Sequence, residues 1–232
     1  ETDAFEVKMQ GIHGSDYWGF GQGWNRDVTV GGLYHNGNLS SFDNWGEGEF
    51  LQLGGGEPAS GYVNPGMDRR VYSSDINGKI IPMLIGDPVE NVGFGIDPNE
   101  SYYAAESSEL EFDPRCYSIA YTGLDNVLWR TEDMGNSFTP FFTFGSNSND
   151  EITQIEFAWS DPQVMYVHQM IGSSSIGKLW RTNDGGEAWA ELELPLVSNS
   201  RVAMIQCDPE DANGIYIAFT YAGNNQKVYK SI

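Results

Sequence analysis

One stretch of the chain is written twice, and that duplication limits the folds open to it more than any other feature. Leu179-Trp180-Arg181-Thr182-Asn183-Asp184-Gly185-Gly186-Glu187-Ala188-Trp189 has an ungapped counterpart about fifty residues earlier, Leu128-Trp129-Arg130-Thr131-Glu132-Asp133-Met134-Gly135-Asn136-Ser137-Phe138. A second landmark keeps the same spacing: Asp-Pro closes an apolar run at Asp113-Pro114, Asp161-Pro162 and Asp208-Pro209. A fixed period of roughly 40 to 50 residues marks a repeat architecture, in which each unit buries its apolar face against its neighbours.

Each unit reads as strand, tight turn, strand. Leu-Trp-Arg-Thr alternates apolar and polar, as a half-buried strand does. Asp-Gly-Gly or Asp-Met-Gly then supplies a turn, because Asp accepts bonds from backbone N–H groups just ahead and Gly tolerates positive φ. The aromatic that follows, Trp189 or Phe138, is expected to fold back onto the sheet as a plug. Proline has no N–H for a central ladder, so each Asp-Pro marks a turn between strands. Asp97-Pro98 lies too close to Asp113 to open a unit and is expected in an insertion.

The pattern Ser/Thr-x-Asp-x-Gly-x-x-Trp/Phe resembles the Asp-box of sialidases, sortilin-type receptors and xyloglucanases. Thr182, Asp184, Gly186 and Trp189 match fully; Thr131, Asp133, Gly135 and Phe138 match with Phe in place of Trp; Ser73 and Asp75 form a degenerate copy. The resemblance implies an all-β fold, a β-propeller of four-stranded blades, four to five of them here. It also implies that the box is a structural turn remote from any active site, so that Asp184→Ala is expected to lower stability. Residues 1–100 then hold divergent blades with Gly- and aromatic-rich insertions, and residues 101–232 the regular repeats. Val228-Tyr229-Lys230-Ser231-Ile232 repeats the strand leading into the box. The expectation is an incomplete ring, held by the remainder of a parent chain or by partner protein chains. Tyr34-His35-Asn36-Gly37-Asn38, Leu53-Gly54-Gly55-Gly56-Glu57-Pro58 and Gly61-Tyr62-Val63-Asn64-Pro65-Gly66 resemble segments of large secreted repeat proteins of Bacteroidetes-type bacteria, which commonly end in a type IX secretion sorting domain.

Charge excludes some partners. Twelve Lys plus Arg against 33 Asp plus Glu give a formal net charge of −21, which repels phosphate backbones and anionic membranes. Nucleic acid is not an expected partner. No apolar run approaches the ~18 residues of a membrane helix, so direct membrane insertion is not expected. Acidity with Asn/Gly-rich turns suits an extracellular or cell-surface setting. The two cysteines, Cys116 and Cys207, fall two units apart; a disulfide needs Cα atoms within about 7 Å, so both are expected unpaired and buried.

Several groups are candidates for chemistry. Trp18, Trp24 and Trp45 stand among Gly, Asp and Asn and offer a stacking surface for sugar rings, a glycan-binding reading; filling of blade interfaces is the competing one. Ca2+ is the expected cation if there is one, at oxygen-rich turns such as Asn147-Ser148-Asn149-Asp150. His13, His35 and His168 have no zinc spacing. The triple glycine Gly54-Gly55-Gly56 lacks the Lys and the helix of a phosphate loop. A sialidase would need an arginine triad, whereas Arg130 and Arg181 are repeat equivalents and Arg69-Arg70 lacks the Arg-Ile-Pro context. A xyloglucanase-like hydrolase would need two carboxylates facing a cleft, and the acidic residues are too many to single out a pair. Asn38-Leu39-Ser40 and Asn99-Glu100-Ser101 match the glycosylation sequon. A non-catalytic binding or scaffold module is the leading reading, and a glycoside hydrolase fragment the alternative.

Overall fold

The structure, a computed structural model, describes residues 17–33, 37–46, 48–54, 61–75, 79–86, 90–91, 110–172, 176–195, 197, 200–220 and 227–231. They form five antiparallel sheets in sequence order. The first holds β1 (Tyr17–Gln22), β2 (Val28–Leu33), β3 (Gly37–Phe42) and β4 (Leu51–Gly54), and the second β5 (Gly61–Asn64), β6 (Met67–Asp75), β7 (Lys79–Leu84) and β8 (Glu90–Asn91). The third holds β9 (Leu110–Phe112), β10 (Ala120–Leu124), β11 (Val127–Thr131) and β12 (Thr139–Thr143). The fourth holds β13 (Glu151–Phe157), β14 (Met165–Met170), β15 (Lys178–Thr182) and β16 (Ala190–Leu192), and the fifth β17 (Arg201–Cys207), β18 (Ile215–Thr220) and β19 (Val228–Lys230).

Local sequence explains the hairpins. Asp125-Asn126 joins β10 to β11 as a two-residue turn closed by the Leu124–Val127 pair, with Asp125 at φ 51°. Asp and Asn accept that left-handed geometry better than other side-chain-bearing residues. The second strands of the third and fourth sheets are covered on both faces: β10 is buried throughout and β14 buries Met165, Tyr166, Val167, His168 and Gln169 in succession, and such a strand loses the in–out alternation of a half-exposed one.

The core lies between sheets. Val28, Val30, Val63, Val71 and Ile85 fill the seam between the first and second sheets, and Tyr72, Leu110 and Ala120 the next. Tyr121, Leu128, Phe144, Ile155, Phe157 and Met165 join the third to the fourth; Tyr166, Leu179, Ile205, Cys207, Ile215 and Phe219 join the fourth to the fifth. Burying one such side chain contributes about 1.5–3 kcal/mol. Among the described residues no apolar cluster joins the fifth sheet to the first, and the arc is open. First strands face one another along its inner edge, β1 against β5 and β13 against both β9 and β17. Because strands alternate in direction, the turns after first and third strands share one rim, and those after second and fourth strands share the other.

Some expectations need correction. Both cysteines are free, but only Cys207 is buried; Cys116 is exposed, because it sits in the turn that follows Asp113-Pro114 rather than on a strand. Ser73 lies inside β6 and Asp75 at its end, where Ser73 pairs with Ile81 and Asp75 with Lys79. That is a second strand, whereas the Thr-x-Asp-x-Gly turns follow third strands. The sequon residue Asn38 is fully buried in β3, closed to a glycosylating enzyme. Asp97-Pro98, Asn99, His13 and His35 lie outside the described residues.

Candidate functional site

The two repeated turns share one bonding scheme. In the third sheet Thr131 Oγ1 donates to Asp133 Oδ1 (2.8 Å) and accepts from the Gly135 N–H (2.8 Å), while Asp133 Oδ1 accepts the Ser137 N–H (2.9 Å) and Asp133 Oδ2 the Ser137 hydroxyl (2.7 Å). In the fourth, Thr182 Oγ1 donates to Asp184 Oδ1 (2.6 Å) and accepts from the Gly186 N–H (3.0 Å), and Asp184 Oδ1 accepts the Ala188 N–H (3.0 Å). The Asp133 carboxyl lies below its usual range because the Ser137 and Thr131 bonds outweigh its desolvation. That of Asp184 is lowered by its Thr182 bond first. These bonds favour the ionised carboxylate.

The same turns also reach the preceding sheet. Gly135 has φ 83° and faces the Tyr72 ring, which a Cβ there would approach to 2.9 Å; Gly186 has φ 99° and faces Phe141 in the same way. Phe138 packs toward Tyr72 and Leu110. Trp189 lies 5.9 Å from Phe142 and 5.1 Å from Phe144, and its indole N–H donates to the Gly186 carbonyl (3.1 Å). Buried Arg70 donates to the Met134 carbonyl (2.8 Å) and to Asn136 Oδ1 (2.6 Å) from the second sheet.

On the same rim, the first sheet presents an aromatic surface. Trp24, in the turn between β1 and β2, is 71% exposed. Its turn is braced rather than loose: the near-buried Asp68 of β6 accepts the N–H groups of Trp24 and Asn25 (both 3.2 Å), and the Gly23 N–H donates to the Val28 carbonyl (2.8 Å). Arg26 then lies 4.4 Å over the Phe42 ring and grips Asp43 with two bonds (2.8 and 2.7 Å). Phe42 contacts Trp45 at 6.1 Å. Beyond it an open hollow of about 490 Å³ is lined by Trp45, Gly48, Glu49, Phe50 and Leu51, with Phe50 54% exposed. Glu49 Oε2 accepts the Gly46 N–H (2.8 Å). Trp24 and Trp45 therefore lie on adjacent turns linked through Arg26 and Phe42. Trp18 lies on β1, its side chain outside the described set. Sequence reasoning missed Asp68, Arg26 and Phe50; no local pattern ties Asp68 to a turn more than forty residues away.

The opposite rim carries carboxylates. Asp125 is raised above its usual range by burial, and Glu151 by burial and then by the charge of Asp125. The two residues are neighbours, since the Ile152 N–H donates to the Asp125 carbonyl (2.8 Å). In the loop before β13, Asp150 Oδ1 accepts from Asn147 Nδ2 (2.8 Å) and the Gly172 N–H (3.0 Å), so this oxygen is engaged within the chain. Among the described residues no three His, Cys, Asp or Glu side chains converge as metal ligands would. His168 is buried, with Nε2 donating to the Ile176 carbonyl (2.8 Å) and Nδ1 accepting from Thr153 (2.5 Å); burial lowers its pKa, so it is a neutral core residue.

No family model and no curated protein matches the chain. Solved structures do. It resembles the GH74 enzyme of Niastella koreensis with a TM-score of 0.65 and 16% identity, over 94% of this chain and 36% of that one. The GH74 xyloglucanase of Xanthomonas campestris gives 0.60 and 16%, over 94% and 36%. A chain of the COPII outer coat vertex on membranes gives 0.61 and 12%, over 94% and 64%. The chain thus spans about a third of the length of the GH74 structures. With the five stacked sheets, these likenesses show the fold, a β-propeller of four-stranded blades whose ring is not closed.

Proposed function

We propose that the chain is a non-catalytic carbohydrate-binding module of a secreted or cell-surface protein, its ligand lying across the Trp24 turn and the Trp45–Phe50 hollow. The observation that carries this is Trp24 itself: a large aromatic face held out to solvent on a turn that Asp68 fixes from the neighbouring sheet. Leaving such a ring exposed forgoes the burial that other aromatics of the chain obtain, and a rigid mount lowers the cost of ordering it on binding. Aromatic faces stack on the apolar faces of pyranose rings, while Arg26, Asp43 and Glu49 supply donors and acceptors for sugar hydroxyls. Likeness to enzymes named as xyloglucanases makes a β-glucan the first polymer to try. The paired Thr-x-Asp-x-Gly turns support grouping the chain with Asp-box repeat propellers, sortilin-type receptors included.

Calorimetric titration with soluble xyloglucan oligosaccharides and a panel of other β-glucans tests the reading. Saturable binding is expected, weakened about tenfold by Trp24→Ala, in line with roughly 1–1.5 kcal/mol for a stacked ring. Absence of binding across the panel, or equal affinity for the variant, would overturn it. A second reading, a glycoside hydrolase fragment, is favoured by one observation: Glu151 is raised by burial and by the charge of neighbouring Asp125, the direction that suits a general acid beside a second carboxylate. Release of reducing ends that Glu151→Gln abolishes would establish it in place of the binding module.

A further inference from the structure

The seam between the fourth and fifth sheets is made by one row of residues. Glu156, Tyr166 and Arg181 stand side by side on β13, β14 and β15. All three reach the fifth sheet. Glu156 Oε1 accepts the Cys207 N–H (3.2 Å) and the Gln206 amide; Tyr166 Oη donates to the Ala212 carbonyl (2.9 Å); Arg181 Nη2 donates to Asn213 Oδ1 (2.7 Å). Ala212 and Asn213 belong to the turn opened by Asp208-Pro209. One register step along, Gln154 Oε1 accepts the Ile205 N–H (2.6 Å) and Gln154 Nε2 donates to the Ala203 carbonyl (2.9 Å). The third sheet carries the same row, Glu111, Tyr121 and Arg130, with Tyr121 5.6 Å from Phe157 of the fourth.

The fifth sheet repeats the row once more as Gln206, Tyr216 and Lys230, flanked by Met204, Ala218 and Val228. The cation stands over the tyrosine ring in all three sheets, Arg130 at 5.8 Å, Arg181 at 5.9 Å and Lys230 at 4.9 Å. In the third and fourth sheets the next sheet covers the pair, and Tyr166 is 1% exposed. In the fifth the described residues leave it open: Met204 is 56%, Tyr216 37% and Val228 62% exposed. Lys230 and Tyr216 are already gathered on Asp208 Oδ2, at 2.7 and 3.5 Å.

We propose that this face is a docking surface for a further antiparallel sheet of the same class, one that carries an Asp-Pro turn. Tyr216 would donate to a carbonyl of that turn, Lys230 to the side-chain oxygen beside it, and Gln206 would accept a backbone N–H of the incoming first strand. These are the roles that Tyr166, Arg181 and Glu156 perform one sheet earlier. Met204 and Val228 supply the apolar area that such a seam buries.

The test is a lengthened chain in which a second copy of residues 184–232 follows Ile232, with Met204→Leu in that copy only. The joint makes a Ser-x-Asp-x-Gly turn, since Ser231-Ile232 stands where Thr182-Asn183 does. Oxidation of the original Met204 by hydrogen peroxide, followed by peptide mass analysis, reads whether the face is covered. Expected are a rate at least tenfold lower than in the 232-residue chain, and recovery of the faster rate on Lys230→Glu in the original sheet. An unchanged rate in a folded lengthened chain would overturn the proposal. So would an added segment that stays unstructured by amide exchange, because it carries the turn that Tyr166 and Arg181 hold. Sedimentation of the 232-residue chain showing self-association that protects Met204 would assign the face to a second copy instead.

Discussion

Thr131 and Thr182 each use one buried oxygen twice, donating to the turn aspartate and accepting the glycine N–H behind it. Replacement by valine keeps the shape and strands a buried N–H, which costs about 1–3 kcal/mol. Thr131→Val and Thr182→Val are each expected to lower the unfolding free energy by that amount in urea titrations, additively because they lie in different sheets. Glu156 brings pH into the stability of the same region. Burial pushes its carboxyl up to about 7 from 4.5, against the Cys207 N–H and Gln206 bonds that favour ionisation. A folded pKa above the unfolded one means that its contribution is complete below about pH 4.5 and is lost as pH rises through 7. Glu156→Gln is therefore expected to shrink the stability difference between pH 5 and pH 8 by on the order of 2–3 kcal/mol. An unchanged pH profile would show that water reaches the carboxylate.

At the scale of the element, the repeated turn belongs as much to the neighbouring sheet as to its own. Gly186 meets Phe141 and Gly135 meets Tyr72 where any Cβ would collide, at φ values that disfavour side chains anyway. Gly186→Ala is expected to cost more than about 2 kcal/mol and to show in thermal melts as a loss exceeding that of Thr182→Val. The sequence made this element visible because its parts are local: strand alternation, Asp, Gly and the plug aromatic all fall within eleven residues. It misled at Ser73 and Asp75, where the same letters fall on a second strand that simply continues into its hairpin. The aromatic surface was legible as Trp24 and Trp45, but not its support. Asp68 and Arg26 act through tertiary placement, which leaves no periodic trace. Asp125 and Glu151 were hidden for the same reason, among 33 acidic residues of which only burial distinguishes a few.

Over the whole molecule, stability is a sum of seams. The two thiols report on this directly, Cys116 exposed in a turn and Cys207 packed between the fourth and fifth sheets, where burial raises its pKa. Alkylation of the native chain is expected to modify one thiol, and of the denatured chain two; rapid labelling of both in native buffer would contradict the packing of that seam. Because the apolar clusters of the described residues join each sheet to its neighbours in sequence, the arrangement behaves as a one-dimensional stack rather than a single cooperative core. The link between β13 and β17 then acquires a mechanical meaning. Gln154 and Glu156 grip the backbone of the next first strand at successive alternate positions, as stitches hold a hem. A chain pulled from its two ends would part stitch by stitch, giving a saw-tooth of separate rupture events instead of one, and the tooth that parts the fourth sheet from the fifth would shrink as pH rises from about 4.5 through 7.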